Sequence, residues 1–442
     1  MDPREIIAQD RMTWRQWLAV AICLILNALD GFDMLAITFA APVIREAWQV
    51  THEQIGIVIA SSLIGMSLGS LFLSPLADVL GRRTMIIICL TIMAISMAMA
   101  PLSSGIASLS FWRLTTGLGI GAMVGTITAM AYEYANMRWR NLAIGLMGVG
   151  YPIGGVLVAA TSAALLPGHG WEAVLWIGAA ATAAMIPLVF LIMPESIEFI
   201  VSKQGAGALA DANAVLRQLG HRLATLVRVD GSKPATVRRL DIFSHTFLLT
   251  TATLTIAYSL HTLTTYFVLG WVPSIVVEIG HDPGTAALVS MWINIGGVIG
   301  GLAFGWFAGH FGLKLSTIPL LAGTMAAVAI FGDLTSGPAL KLTGFAIGFC
   351  MIGASVGLYA LIAHLYPTAL RATGTGVVIG IGRSGAAVGP ILAGVLMTAQ
   401  VDKATIAILM AAGSLVAAIA IWMLPKRPGA NRPEEAVPCP AD

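Results

Sequence analysis

Charge is what this 442-residue chain has least of: Asp, Glu, Lys and Arg together make up 10% of it, against roughly 25% in an ordinary soluble domain. With 57% of the residues hydrophobic, a soluble globular fold is excluded, because too little polar surface is left to face water. Cysteine is also scarce. Of the four, Cys23, Cys89 and Cys350 fall in apolar runs and Cys439 lies near the C-terminus, which suggests neither a disulfide framework nor a zinc site. A net charge of +2 is too near neutral to suggest a nucleic-acid partner. No basic segment, short apolar core and small-residue cleavage site precede the first apolar run, so a cleaved signal peptide is not expected. The short alternating segments of a membrane β-barrel are missing too.

Long hydrophobic runs are what the chain does have. They fall near 16–41, 53–77, 84–104, 107–131, 141–165, 172–193, 243–270, 284–308, 315–333, 338–363, 371–397 and 403–424. Each is about 20 residues, enough to cross a hydrocarbon core of about 30 Å as a helix that satisfies its own backbone. An all-α polytopic membrane protein with twelve transmembrane helices is therefore expected. A polar segment, 194–241, carrying Lys203, Arg217, Arg222, Arg228, Lys233, Arg238 and Arg239, separates the sixth run from the seventh. The chain then divides into a bundle at 1–193, a loop at 194–241, a second bundle at 242–426 and a tail at 427–442.

If the N-terminus is cytoplasmic, the loops and tails on that side hold most of the 24 Lys and Arg, and the far side holds only Arg45, Lys341 and Lys403. The positive-inside rule then places both termini in the cytoplasm. The halves also echo each other. Gly69 and Gly81 around the second loop correspond to Gly300 and Gly312, and Tyr134, Gly148 and Gly150 correspond to Tyr366, Gly380 and Gly382. Repeats of six spans are a feature of secondary transporters, whose ligand site lies near the midplane between halves.

Charged residues inside the runs are costly, about 2.5–3.5 kcal/mol each on insertion scales, and so mark a protein interior or a water-filled path. Asn27, Asp30 and Asp33 recur every three residues on one face of the first run. Arg113 in the fourth run sits about 9 Å, and Asp33 about 7 Å, toward the outer side of mid-membrane at 1.5 Å per residue. Matching heights predict an ion pair or shared hydrogen-bond network; the competing reading has Arg113 snorkelling to the headgroups. Arg383, near the centre of the eleventh run, presents a planar fork suited to an anionic substrate, or else to a fixed salt bridge with an acid of the other half. Asp78, Arg82, Glu133 and Arg371 lie at inner ends of spans and read as a cytoplasmic latch between the halves, with Gly69 and Gly81 shaping its turn. Phe32, Tyr151, His261, Tyr266, Trp292 and Asn294 are candidates for the wall of a substrate cavity, with packing as the alternative for each. The dinucleotide-like Gly380-x-Gly382-x-x-Gly385 and the hydrolase-like Gly353-x-Ser355-x-Gly357 both lie inside spans, without the strand, or the histidine and acid, that those chemistries need.

Several of these segments resemble a known superfamily. Gly69…Asp78-x-x-Gly81-Arg82-Arg83 resembles the signature between helices two and three of major facilitator transporters, and the resemblance covers nearly the whole chain. More narrowly, Asp30-Gly31-Phe32-Asp33 with Ala41-Pro42 downstream resembles the first-helix motif of the aromatic acid/proton symporters. Arg113-x-x-x-Gly-x-Gly, Glu133-Tyr-x-x-x-Arg138-x-Arg140, Tyr366-Pro367-x-x-x-Arg371-Ala-Thr-Gly374 and Gly382-Arg383 fit the same family. The resemblance implies the major facilitator fold of two pseudo-symmetric six-helix bundles. It also implies a monomeric importer of benzoate, 4-hydroxybenzoate, protocatechuate or vanillate in the bacterial cytoplasmic membrane, with Asp30, Asp33, Arg113, Glu133, Arg371 and Arg383 as the functional positions. Protons would be the coupling ion, with no cofactor, no metal and no enzymatic activity. One departure is that Gly309, followed by His310, stands where the first half has Asp78, so the second latch is weaker or built otherwise. Other readings are a proton-coupled carrier of another organic anion, a drug exporter, or a membrane sensor that transports nothing.

Overall fold

The structure is a computed structural model and describes residues 1–203, 207–226, 245–366 and 368–424. Among the described residues, twelve helices are long and apolar enough to cross a membrane. They are α1 (Trp14–Trp48), α2 (His52–Leu80), α3 (Arg82–Leu102), α4 (Ile106–Tyr134), α5 (Leu142–Leu166), α6 (Gly168–Ile192), α7 (Phe247–Glu278), α8 (Pro283–Phe311), α9 (Leu313–Asp333), α10 (Gly337–Ile362), α11 (Gly374–Thr398) and α12 (Lys403–Met423). Local signals set their ends. Thr13 with Gln16, and Thr51 with Gln54, form capping boxes that start α1 and α2. Asp282, followed by Pro283, and Asp402 cap α8 and α12.

The halves are built alike. In each, the first helix packs on the fifth, the second on the fourth and the third on the sixth. Gly69 meets the carbonyl of Leu118 on α4, and its counterpart Gly300 meets that of Phe349 on α10. Any Cβ at either position would collide with that carbonyl, so the helices approach this closely only because glycine is there. Gly81 and Gly312, which end α2 and α8, have φ of +100° and +83°, a conformation that costs glycine little and other residues more.

Two departures from regular helix matter later. α2 widens into a π-turn at Gly69–Leu73, and α11 breaks at Arg383, between helices Thr368–Gly382 and Ser384–Thr398.

The halves meet along α2 with α11, α5 with α8, and α1 with α7. At one end this seam is closed by a shared apolar core that includes Phe39, Ile44, Trp171, Trp271, Val272 and Ile275. The opposite end, here termed the near face, carries the short helices Pro3–Gln9, Ile197–Ser202 and Ala208–Leu219. Arg222 pairs with Asp10 at 3.0 Å there, and His221 contacts Gln16 at 2.9 Å. Within 194–241, residues 207–226 are thus folded against the first half; 227–244 and the tail from 425 lie outside the described residues.

Candidate functional site

Glycines bring α1 and α5 together at the acidic stretch. Gly31 rests on the carbonyl of Tyr151, and Gly154 on the main chain of Ala28 and Phe32, while Asn27 donates to the carbonyl of Met147. Asp30 and Asp33 are fully buried (0% exposed). Thr182 on α6 donates to Asp33 Oδ2 at 3.2 Å; among the described residues, no donor reaches Asp33 Oδ1 or either oxygen of Asp30. Arg113, likewise 0% exposed, does not snorkel. Nor does it form an ion pair with either acid within the described residues. Its Nη1 and Nη2 donate to the main-chain carbonyls of Asp33 and Met34 at 2.9 and 3.1 Å. A carbonyl has two lone pairs, so these can serve both the helix and the guanidinium.

A cavity of about 290 Å³ lies between the halves. The first half contributes Asn27, Leu63, Met66 and Tyr151, and the second Tyr258, Tyr266, Tyr359 and Arg383. Gly148 on α5 and Gly380 on α11, the pair related by the repeat, both have open space beside them. Arg383 owes its position to the break in α11. Gly382 packs on the ring of Tyr258, Gly385 on the carbonyl of Ser259, and Thr262 donates to the carbonyl of Gly382 at 3.0 Å. No acceptor among the described residues hydrogen-bonds the half-buried guanidinium, and no salt bridge to an acid of the other half forms. The hydroxyls of Tyr258 and Tyr359 are 2.8 Å apart.

Of the residues expected in a cavity wall, Tyr151 and Tyr266 are there and four are not. Phe32 is buried beside Gly178 of α6. His261 is enclosed in the second half, with Nδ1 3.0 Å from Ser414 Oγ and Nε2 3.1 Å from both Ser355 Oγ and the Met351 carbonyl. Trp292 lies against Phe345 with 39% of its surface exposed, outside the cavity. Asn294 donates to the Ser290 carbonyl at 2.9 Å and fills the α5–α8 seam against Gly155. The hydrolase-like motif does meet a histidine, since Ser355 contacts His261, but Ser414 stands where an acid would be required and Ser355 donates to Met351 within its own helix at 3.0 Å. Asp30, Asp33 and Arg113 do not line the cavity either; the α1–α5 contact separates them from it.

On the near face, Arg82 pairs with Glu133, and Ser196 donates to the same carboxylate at 2.5 Å. Glu195 Oε1 accepts from the main-chain nitrogens of Arg82, Arg83 and Ser196 at 2.9, 3.0 and 2.9 Å. These contacts join the first half to the start of the 194–241 segment, and none reaches the second half. Asp78 is exposed and has no partner among the described residues; the side chain of Arg371, the second-half member of the expected latch, lies outside the described residues.

Ionic contact between the halves occurs instead at the far face. Glu278 at the end of α7 meets His52 of α2, Arg45 of α1 at 3.4 Å and Lys403 of α12 at 3.8 Å. Beside it, Trp271 donates to the Pro390 carbonyl at 3.0 Å and lies 5.9 Å from the His52 ring. Sequence reasoning counted Arg45 and Lys403 only as topology markers and passed over Glu278 and Tyr359. An acid at the end of a span, on the side poorest in Lys and Arg, was the available signal.

Among the described residues, no group of three or more His, Cys, Asp or Glu could hold a metal. The Major Facilitator Superfamily model matches residues 23–331 and 254–438. The gallate transporter of Pseudomonas putida is 30% identical over 92% of this chain and 91% of its own length. The 3-(3-hydroxy-phenyl)propionate transporter of Escherichia coli (strain K12) is 28% identical over 93% and 95% respectively. In fold, the inward open conformation of the xylose transporter XylE from E. coli superposes with a TM-score of 0.73 at 15% identity, covering 94% of this chain and 98% of that one. Twelve spanning helices in two like halves, a cavity on their seam and a family match along most of the sequence lead to one assignment: the chain belongs to the Major Facilitator Superfamily.

Proposed function

We propose that this protein is a proton-coupled symporter that imports aromatic carboxylic acids across the bacterial cytoplasmic membrane by alternating access. The observation that carries the proposal is Arg383, a guanidinium at a helix break, facing the cavity between the halves with no protein acceptor among the described residues and with Tyr151, Tyr258, Tyr266 and Tyr359 around it. A planar fork recognises a carboxylate through two parallel hydrogen bonds, and tyrosine rings suit a flat aromatic body. The named substrates of the relatives, gallate and 3-(3-hydroxy-phenyl)propionate, are aromatic acids of this kind.

In this reading the basic near face is cytoplasmic, residues 1–193 and 242–426 are the two rocking bundles, and the segment 194–241 ties them together. The contacts of Glu278 are the closed outer gate, and the cavity is open inward. Asp30 and Asp33 carry the protons. Moving a monoanion into a negative-inside cell costs about 2.3 kcal/mol per 100 mV; one proton cancels that charge and a second makes uptake electrically favoured. One chain encloses the whole path, so a monomer is the working unit, and the proton is the only cofactor-like requirement.

The test is uptake of labelled 4-hydroxybenzoate into proteoliposomes under an imposed pH gradient, with benzoate, protocatechuate, vanillate and phenylpropanoids as competitors. Accumulation that collapses with a protonophore is expected. Binding without accumulation would instead make the protein a sensor, and failure of every aromatic acid to compete would remove the substrate class.

A further inference from the structure

The acids proposed to carry protons and the arginine proposed to hold substrate do not share a compartment. Asp30, Asp33 and Arg113 are fully buried in the first half, whereas Arg383 faces the cavity. Coupled transport requires some group that senses both. Tyr151 is placed to do so. Its carbonyl packs on Gly31, the residue next to Asp30, and Gly150 and Gly154 on either side pack against Asn27 and Ala28. Its ring lines the cavity. Its hydroxyl is buried and has no hydrogen-bond partner among the described residues, an expensive state for a polar group unless it serves a changing partner.

Both oxygens of Asp30 are likewise buried without a donor among the described residues, and Tyr266 and Arg383 share the cavity wall with Tyr151. The other titratable groups nearby are Asp33 on α1, Cys89 on α3 and Arg113 on α4, around Asp30 and Tyr151, and Arg383 and Tyr359, around Tyr266. A tyrosine has one O–H to donate. It cannot serve two carboxylates at once.

We propose that Tyr151 is the coupling residue of the carrier: its single O–H donates a hydrogen bond to Asp30 when that acid is ionised, and to the carboxylate of a bound aromatic acid when Asp30 is protonated. Protonation from the aqueous side therefore frees the donor that substrate needs, and no covalent bond other than the O–H of Asp30 is made or broken. The inference rests on the symporter reading above.

The experiment compares the full chain with Tyr151→Phe, Asp30→Asn and the double variant, by 4-hydroxybenzoate binding at pH 6 and pH 8 and by pH-gradient-driven accumulation in proteoliposomes. Wild type should bind more tightly at pH 6. Tyr151→Phe should bind about tenfold more weakly at pH 6, the loss expected for one hydrogen bond to a charged group, with little change between the two pH values and with most accumulation lost. Asp30→Asn should hold the acid-pH affinity at pH 8, and the double variant should match Tyr151→Phe alone. Wild-type affinity and pH dependence in Tyr151→Phe would overturn the proposal and leave the symporter reading standing. Retained pH dependence in Asp30→Asn would also overturn it, even if the tyrosine variant failed to fold. A wild type that neither binds nor accumulates any aromatic acid would defeat the symporter reading and the coupling role together.

Discussion

Arg383 has a side chain that faces the cavity with no protein partner among the described residues, so its chemistry can be tested without repacking a core. Arg383→Lys keeps the charge and loses the fork; because a point charge does not replace a bidentate contact, KM for uptake should rise at least about tenfold, with transport at saturation less affected. Arg113 is the opposite case. Its bonds to the carbonyls of Asp33 and Met34 tie α4 to α1, and Arg113→Met should lower stability by about 1–3 kcal/mol, read as a shift of thermal unfolding in detergent. Both arginines stood out in the sequence because charge is so rare inside apolar runs. Which atoms Arg113 would meet was not legible, since height along a helix is fixed by counting residues and rotation about its axis is not. The same limit explains His261, Trp292 and Asn294: a helix apolar on every side offers no contrast between the face toward lipid and the face toward protein.

Among the elements, glycine contacts decide spacing and can be broken one at a time. Gly154→Leu would force a side chain into the Ala28 carbonyl and push α1 from α5, so folded protein should be lost, as measured by gel-filtration monodispersity. Gly148→Ala, whose Cβ meets nothing, should fold normally. The helix Ala208–Leu219 carries a separate expectation. Burial holds the His221 imidazole below its ordinary value, against the opposing pull of Asp10. A base with a lowered folded pKa contributes stability that is complete above its ordinary value and is lost as pH falls below about 6.5. Limited proteolysis of the segment preceding residue 227 should therefore speed up between pH 7 and pH 5.5, and His221→Asn should abolish that difference. Spans and loops were legible because a bilayer demands about 20 apolar residues per crossing. The break at Arg383 was not, because its glycines read equally well as close-packing positions.

For the molecule as a whole, the twofold repeat was visible in Gly69, Gly81, Gly300 and Gly312, whose pairwise equivalence the backbone repeats. The side on which the seam is shut was not visible, because one sequence must encode every state of a moving carrier and favours them by small differences. Glu278→Gln removes the acid shared by Arg45, His52 and Lys403. It should shift the population toward the outward-facing form, seen as faster reaction of Ile44→Cys with a membrane-impermeant maleimide.

That cluster is lopsided: one carboxylate sits among Arg45, Lys403 and a histidine. When the halves part, Arg45 and His52 travel with one wall while Lys403 stays with Glu278 on the other, so opening breaks two of the three contacts and spares the third. Pairs at a solvent-facing seam weaken as salt screens them, so the outward-facing share should grow as ionic strength rises.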